Sequence, residues 1–504
     1  MIVRKERDSE MRIGFDNDKY VELQSKNILE RIAKFGGKLY LEFGGKLFDD
    51  LHAARVLPGF APDAKVRLLQ TMKEQTEIIV TINAADIEKK KMRADFGISY
   101  DMDVLRLIDN LRSLDIYVSS IVVTQYTGQP SADIFRKKLE RRGEKVYFHK
   151  MIAGYPNNVD TIVSDEGYGA NPYVETTRPL VVITAPGPGS GKLATCLSQM
   201  YHEHKRGISS GYAKFETFPI WNIPLKHPVN LAYESATCDL RDVNMIDPYH
   251  LEAYGVTTVN YNRDVEAFPV VKTIISRITG DDNLYRSPTD MGVNMAGYAI
   301  FDDEAVRDAA KQEIIRRSYK AWCDYKNGLV DIEVAHRAEA LMAEAGVTVD
   351  QRPVVAAALK KTKETEVQAI AIQLHDGKII TGKSSDMLGA PAAAVINAIK
   401  YLAGIRDEML LISPVILEPI RNMKKNTLGR NVTKLNLEEA LIAMSICAAT
   451  NPMVEAALKQ LEKLRNTEAH YTKMLNPQDE ITFRKLNINI TCEPEFMSQN
   501  LYNQ

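Results

Sequence analysis

Cysteine is sparse in this chain and never clustered. The five present, Cys196, Cys238, Cys323, Cys447 and Cys492, include no pair at the short spacing of a zinc ribbon or a redox motif. Scattered thiols in odd number suit a reducing compartment, where they serve as small core hydrophobes. An excess of one charge is missing too, since 64 basic and 66 acidic residues nearly cancel. A chain whose main partner is a nucleic-acid backbone usually carries a basic face, so bulk charge gives that partner no support. No apolar run reaches the length of a membrane helix. The charged start, Met1-Ile-Val-Arg-Lys-Glu-Arg, leads into no apolar signal segment. The expected setting is the cytoplasm, with neither nucleic acid nor membrane as partner. Internal repeats and low-complexity tracts are absent as well.

What remains is an ordinary globular composition, 45% hydrophobic and 26% charged. The 504 residues exceed one core, and at ~150 residues per domain they suggest about three. In residues 1–300, helical and strand periodicities alternate. Apolar spacing through Val21, Ile28 and Ile32 predicts a helix over 20–34, stopped by Gly36 and Gly37. Strands are expected at 39–43, 77–82, 116–124, 145–149 and 180–184. Helices are expected at 64–74, capped by Asp63, and at 103–112 and 131–142. This alternation predicts an α/β fold, a doubly wound and mainly parallel sheet. From 207 to 300, Pro219, Pro224, Pro228, Pro248, Pro269 and Pro288 predict a loop-rich part of the same domain. Residues 301–365 read as a helical connector, broken at Gly328 and Gly346. Residues 366–504 restart as a smaller α/β domain. It has a hairpin turning at Asp376 and Gly377, alanine-rich helices at 392–403 and 437–449, and a strand-like run at 410–417.

The densest signal lies at 180–200. An apolar strand, Leu180-Val-Val-Ile-Thr184, enters Ala185-Pro-Gly-Pro-Gly-Ser-Gly-Lys192. A helix then leaves with Leu193, Cys196, Leu197 and Met200 on one face. Glycine permits close approach and positive φ, so N–H groups around Gly187, Gly189, Ser190 and Gly191 can aim at one anion. The helix adds its unpaired N-terminal amides. Lys192, in its first turn, can reach a terminal phosphate and neutralise developing charge. The loop resembles the Walker A loop of the P-loop nucleotide-binding proteins, with two departures. The first glycine of that pattern is Pro186, and the magnesium-holding Ser or Thr after the lysine is Leu193, while Thr195 faces another way. The plainer reading is a Gly/Pro turn joining a strand to a helix.

Other groups gather around this motif. Gly44, Gly45 and Lys46 also follow a strand, and ligands in open α/β sheets collect at carboxyl ends. An ordinary strand–helix turn explains them equally well. Glu234 or Asp239 could act as a general base or hold a magnesium ion bridging phosphates, although loop carboxylates are usually only solvated. Asp242, Asp247 and His250 follow, and Asn260, Asn262, Arg263 and Asp264 form a further polar group. His202 and His204 lie two apart on a helix and share no face, so they read as partners of its C-terminal carbonyls. Arg421, Lys424, Lys425 and Arg430 ring a glycine-containing loop that is either a second anion site or a solvated face.

Taken whole, the chain resembles a bacterial family of roughly this length known only as a domain of unknown function. The loop at 185–192, the segment 230–239 and the turn at 389–394 carry the resemblance. It implies a bacterial cytosolic protein with a nucleotide-binding-like N-terminal half and a distinct C-terminal α/β domain. It transfers no activity. The hairpin and helix of the last domain resemble cytidine-deaminase-like folds, without the His-x-Glu and paired cysteines of their zinc site. The expectation is binding of ATP or another phosphorylated small molecule, with magnesium as a candidate ion, by an ATP-dependent phosphotransferase or ligase. A non-catalytic sensor or assembly protein is the alternative. The helical connector and the alanine-rich C-terminal helices could supply a homodimer interface.

Overall fold

The computed structural model describes residues 12–48, 50–93 and 97–498. They pack as two compact units, one of Ile13–Glu234 with Arg241–Ala309, the other of Ser235–Leu240 with the chain from Ala310 onward. Seven parallel strands form the sheet of the first unit. They are β1 (Leu39–Phe43), β2 (Thr76–Asn83), β3 (Tyr117–Tyr126), β4 (Val146–Lys150), β5 (Leu180–Thr184), β6 (Gly211–Phe215) and β7 (Gly292–Val293). Their spatial order is β7-β6-β1-β5-β2-β3-β4. Every position of β5 is buried. Both faces are therefore covered, as an all-parallel sheet requires. The cover comes from α1 (Asn17–Lys34), α2 (Ala64–Thr71), α3 (Tyr100–Ser113), α4 (Pro130–Glu140), α5 (Lys192–Lys205) and α6 (Asn262–Thr279). The expected α/β fold is the one observed.

Strand order also locates a crevice. The connection leaving β2 runs outward to β3, whereas the one leaving β5 passes over β1 to β6. Adjacent strands whose exits diverge in this way form a topological switch point, where ligands bind outside the carboxyl ends. The glycine loop is the exit of β5.

Three expectations need correction. Asp63 does not cap α2; its carboxylate pairs with Arg67 at 3.0 Å. The stretch 207–300 is less loop-rich than its prolines suggest, because α6 runs for 18 residues through Pro269. Val265, Phe268, Val271, Ile274, Ile275 and Ile278 are buried along it at helical spacing. Six such side chains at ~1.5–3 kcal/mol each outweigh the ~3 kcal/mol of one interior proline. Finally, the run at 410–417 is no strand. Pro414 starts the helix Pro414–Asn422, a position at which its missing N–H costs nothing.

In the second unit, β8 (Ala369–Gln373), β9 (Ile379–Lys383), β10 (Glu468–Tyr471) and β11 (Asn489–Cys492) form a mixed sheet of order β9-β8-β10-β11. β8 and β9 make the expected hairpin. Gly377 is left-handed at φ +82°, and Asp376 accepts the Lys378 N–H at 2.9 Å. The helix Ala390–Leu402 lies hard against β9, since a Cβ on Gly382 would stand 2.2 Å from the Ala394 nitrogen. Its alanines are the consequence of that approach.

Candidate functional site

Two glycines of the loop after β5 are left-handed, Gly189 at φ +73° and Gly191 at φ +79°, the second as N-cap of α5. The loop is tied down by neighbouring strand ends. Asn83, closing β2, donates its amide to the Gly189 carbonyl at 3.2 Å, and Thr124 of β3 donates its hydroxyl to the Ser190 carbonyl at 2.8 Å. A trans peptide points its C=O and the following N–H in opposite directions, and both peptides are trans. With the two carbonyls turned toward β2 and β3, the N–H groups of Ser190 and Gly191 point the other way. The Gly191 carbonyl accepts the Thr195 N–H and hydroxyl, each at 2.9 Å along α5, which directs the Lys192 N–H out of the helix. None of these three amides has an acceptor among the described residues. They sit at the positive end of a 14-residue helix.

The glycines serve different ends. A Cβ on Gly187 would lie 2.3 Å from the Tyr100 hydroxyl, and one on Gly191 3.0 Å from Thr124. Those two make room for side chains that brace the loop. Gly189 faces open space and is needed for its φ alone. Ser190 is buried with its hydroxyl 3.4 Å from that of Thr81, so its side chain is turned from the crevice. Lys192 is half-buried and makes no hydrogen bond or ion pair among the described residues. The Thr195 hydroxyl is engaged, and Leu193 stands where a magnesium-holding hydroxyl would be.

Gly44, Gly45 and Lys46 leave β1, the strand beside β5, so they share the loop's edge of the sheet. Lys65 secures them, donating to the Gly44 and Lys46 carbonyls at 3.4 and 3.1 Å while pairing with Asp50 at 2.9 Å. Glu234 is buried and accepts the Asn244 N–H at 3.0 Å. Asp239 belongs to the second unit, exposed in the turn Cys238–Leu240. Asp247 caps the helix Pro248–Tyr254, and Asp242 pairs with Arg263 at 2.6 Å. These last two carboxylates hold the fold together. His202 bonds the carbonyl of Asn171 at 2.8 Å, a loop outside its helix, in place of the helix's own last carbonyls. In the second unit Lys424 is buried, bonded to the Lys434 carbonyl and to Glu439 at 2.6 Å each, which removes it from any anion site. Among the described residues no group of three or more His, Cys, Asp or Glu side chains is placed to hold a metal ion, and no helix is long and apolar enough to cross a membrane.

A charged cluster marked by no motif sits at the end of β6. The Lys214 ammonium lies 2.8 Å from Glu216, 2.5 Å from Asp264, and against the Tyr261 hydroxyl. Glu42 pairs with Lys214 in register across β1 and β6 and accepts from the Tyr212 hydroxyl at 2.9 Å. Burial works against the Lys214 charge, yet Asp264 and Glu216 hold it above the ordinary lysine range. Burial pushes the Glu216 carboxyl up to about 8, with Lys214 opposing and Asp264 adding to the shift. The signal in the sequence is faint: Lys214 and Glu216 are two apart and so share one face of a strand.

A carboxyl raised in this way keeps its proton in the folded state where the unfolded chain has lost it. Its contribution to stability is full below the unfolded value of 4.5 and is lost as pH rises through about 8. Glu216→Gln should remove that loss. Urea midpoints of the variant, measured against the parent, should climb between about pH 5 and about pH 8 and level off above; a constant difference would refute the assignment.

Fold and loop together define a doubly wound α/β protein with a glycine-rich turn at its switch point, whose amides at 190–192 have no acceptor among the described residues. The chain belongs to the DUF1846 family. The domain of unknown function DUF1846, N-terminal, matches residues 13–346, and its C-terminal counterpart matches residues 350–502. The chain is 59% identical over 500 residues to a UPF0371 protein of Clostridium botulinum (strain Langeland), covering 98% of this chain and 99% of that protein. A UPF0371 protein of Clostridium tetani (strain Massachusetts) is likewise 59% identical over 500 residues, with the same 98% and 99% coverage. One from Clostridium botulinum (strain Alaska E43) is 57% identical over 500 residues, again 98% and 99%. The expected membership in a bacterial family of unknown function is borne out.

Proposed function

We propose that the loop after β5 binds a phosphorylated small molecule, ATP or another phosphometabolite, through the amides of Ser190, Gly191 and Lys192 with the Lys192 ammonium beside them. One observation carries this reading. Asn83 and Thr124 each hold a loop carbonyl, and the amide after each is thereby turned outward without a protein acceptor among the described residues. Hydrogen bonds to a charged partner contribute ~1.5–3 kcal/mol each, so three of them with an ammonium suffice for a specific anion site. Neither residue that could supply the magnesium hydroxyl is available, Leu193 by type and Thr195 by its bond to Gly191. The reading favoured is therefore phosphate binding with no metal ion held by the loop's own side chains. Phosphoryl transfer from a nucleoside triphosphate is the second reading, and the Lys214–Glu216–Asp264 cluster supports it by placing ionisable groups of both signs beside α5.

Thermal denaturation with inorganic phosphate, pyrophosphate, ATP and phosphomonoesters, with and without magnesium, tests both. A ligand at 100 times its Kd adds about 2.7 kcal/mol of stability. The expected result is a rise in Tm that needs no magnesium and shrinks in Lys192→Met. A rise limited to nucleotides with magnesium selects the transferase reading. No rise with any member, or an equal rise in Lys192→Met, removes the proposal.

A further inference from the structure

Exposed apolar side chains gather on one short stretch of the second unit. Leu410, Val415, Met423, Leu428, Ile442 and Ile446 are each about half exposed or more, from 49% for Met423 to 79% for Val415. We infer that this patch is an interface for a second copy of the chain, closed by a two-fold axis. The inference stands apart from the phosphate reading, since none of these residues belongs to the first unit.

The local pattern comes first. The helix Pro414–Asn422 runs on into the π-helical turn Met423–Thr427, and Leu417 and Lys424 are buried on its inward side. On the outward side Val415, Pro419 and Met423 recur every four residues, all exposed, where a helix face turned to water ordinarily carries polar residues. The helix Leu437–Ala448 continues the surface. Its Glu439 bonds Lys424 at 2.6 Å, and Ile442 and Ile446 follow three and seven residues later along the same stripe. The other alanine-rich helix, Ala390–Leu402, buries its alanines in the core of its own unit.

Size comes next. Covering the six side chains removes roughly 300–400 Å² of apolar surface from each copy. At the ~65% apolar share of homodimer interfaces, that implies about 1,000 Å² buried in total, the level a specific association needs.

Charge then selects the occupant. Glu418 and Lys425 flank the stripe, both exposed, and neither is hydrogen-bonded or ion-paired among the described residues. Within one chain about two helical turns, or ~10 Å, hold them apart. Where two such helices cross antiparallel about a two-fold axis, each flank meets the same flank of the other copy. An axis between Arg421 and Asn422 sets Glu418 of each copy against Lys425 of the other, and Val415 against Leu428. An acid and a base balanced about an apolar centre give the self-complementarity that an isologous contact requires.

Sedimentation velocity on the full chain tests this. The parent should be a dimer with a Kd in the micromolar range, about 1–50 µM. Glu418→Lys and Lys425→Glu each bring like charges together twice per dimer, and each should raise that Kd about tenfold or more. An equimolar mixture of the two variants should recover the parent's dimer, because every pair between unlike copies is again of opposite charge. Val415→Asp should be monomeric and gain nothing from mixing. Circular dichroism checks that these exposed substitutions leave the fold intact. A parent still monomeric at ~100 µM overturns the inference and leaves the patch to a different protein. Single variants that dimerise as the parent does, or a mixture that stays monomeric, overturn it equally.

Discussion

Replacing Arg352 with methionine should destabilise the second unit by about 3–5 kcal/mol, the usual cost of breaking a buried ion pair from one side. Arg352 is fully buried. Its guanidinium pairs with Glu468 and donates to the Ala469 and Asn489 carbonyls, each at 2.9 Å, and to the Thr491 hydroxyl at 3.1 Å. One planar fork thus ties β10 to β11 through both side chain and backbone. Burial pushes the Glu468 carboxyl up, but Arg316 and Arg352 together hold it below the usual glutamate range. Methionine would take a donor from the Asn489 and Ala469 carbonyls, the second of which keeps the Thr491 hydroxyl at 3.2 Å, and leave Arg316, 2.8 Å from Glu468, as that carboxylate's remaining cation among the described residues. Lysine keeps the charge and loses the fork, so Arg352→Lys should recover less than half of the loss. Each unit holds one tryptophan, Trp221 in the first and Trp322 in the second. Urea unfolding followed through Trp322 in a Trp221→Phe background reads the second unit alone. A loss below about 1 kcal/mol would mean that the pair is mere surface electrostatics.

Nothing in the sequence marks Arg352, which stands before Pro353 at the end of a polar turn. That blindness has a general cause. Local patterning showed where strands and helices lie, because an apolar run such as Leu180–Thr184 is buried wherever it packs. The glycine loop was legible for the same reason: φ preference and helix polarity are local properties of Gly189, Gly191 and Lys192. The parts that make the loop a site are not local. Asn83 and Thr124 come from strands far away in the chain and meet the loop only because β2 and β3 lie on the same side of β5. Asp264 reaches Lys214 across 50 residues.

Misreadings followed the same line. Prolines stand for loops in a sequence, but Pro269 sits in α6 because six buried apolar residues outweigh it. Lys214 and Glu216 lie inside that supposed loop region, and no motif singles them out. Glu234 and Asp239 were attractive as carboxylates near short apolar residues. The structure shows Glu234 holding a backbone N–H, and Asp239 exposed in the other unit. A carboxylate's type is visible in sequence, whereas its partner is a property of the fold.

The sharpest test of the loop is Gly191→Val. On the phosphate reading, this variant should lose pyrophosphate affinity by about 100-fold or more, the worth of two charge-assisted amide contacts. Valine at φ +79° carries the left-handed penalty of ~1–2 kcal/mol, and β-branching makes that conformation an outlier. Its Cβ would also meet Thr124 at 3.0 Å, before the γ-methyls are counted. The peptide can relieve both by turning over. That turn breaks the bond from the Thr124 hydroxyl to the Ser190 carbonyl and swings the Gly191 amide toward the sheet. Gly189→Ala provides the contrast. Its φ of +73° is equally strained, but its Cβ meets nothing within 4 Å, and the Asn83 bond to its carbonyl can persist. It should cost about 1 kcal/mol of stability and less than about tenfold in affinity. Pyrophosphate titration of both variants, with circular dichroism to confirm the fold, separates the outcomes. If folded Gly191→Val binds within about threefold of the parent, the amides of this turn hold no anion and the lysine acts elsewhere.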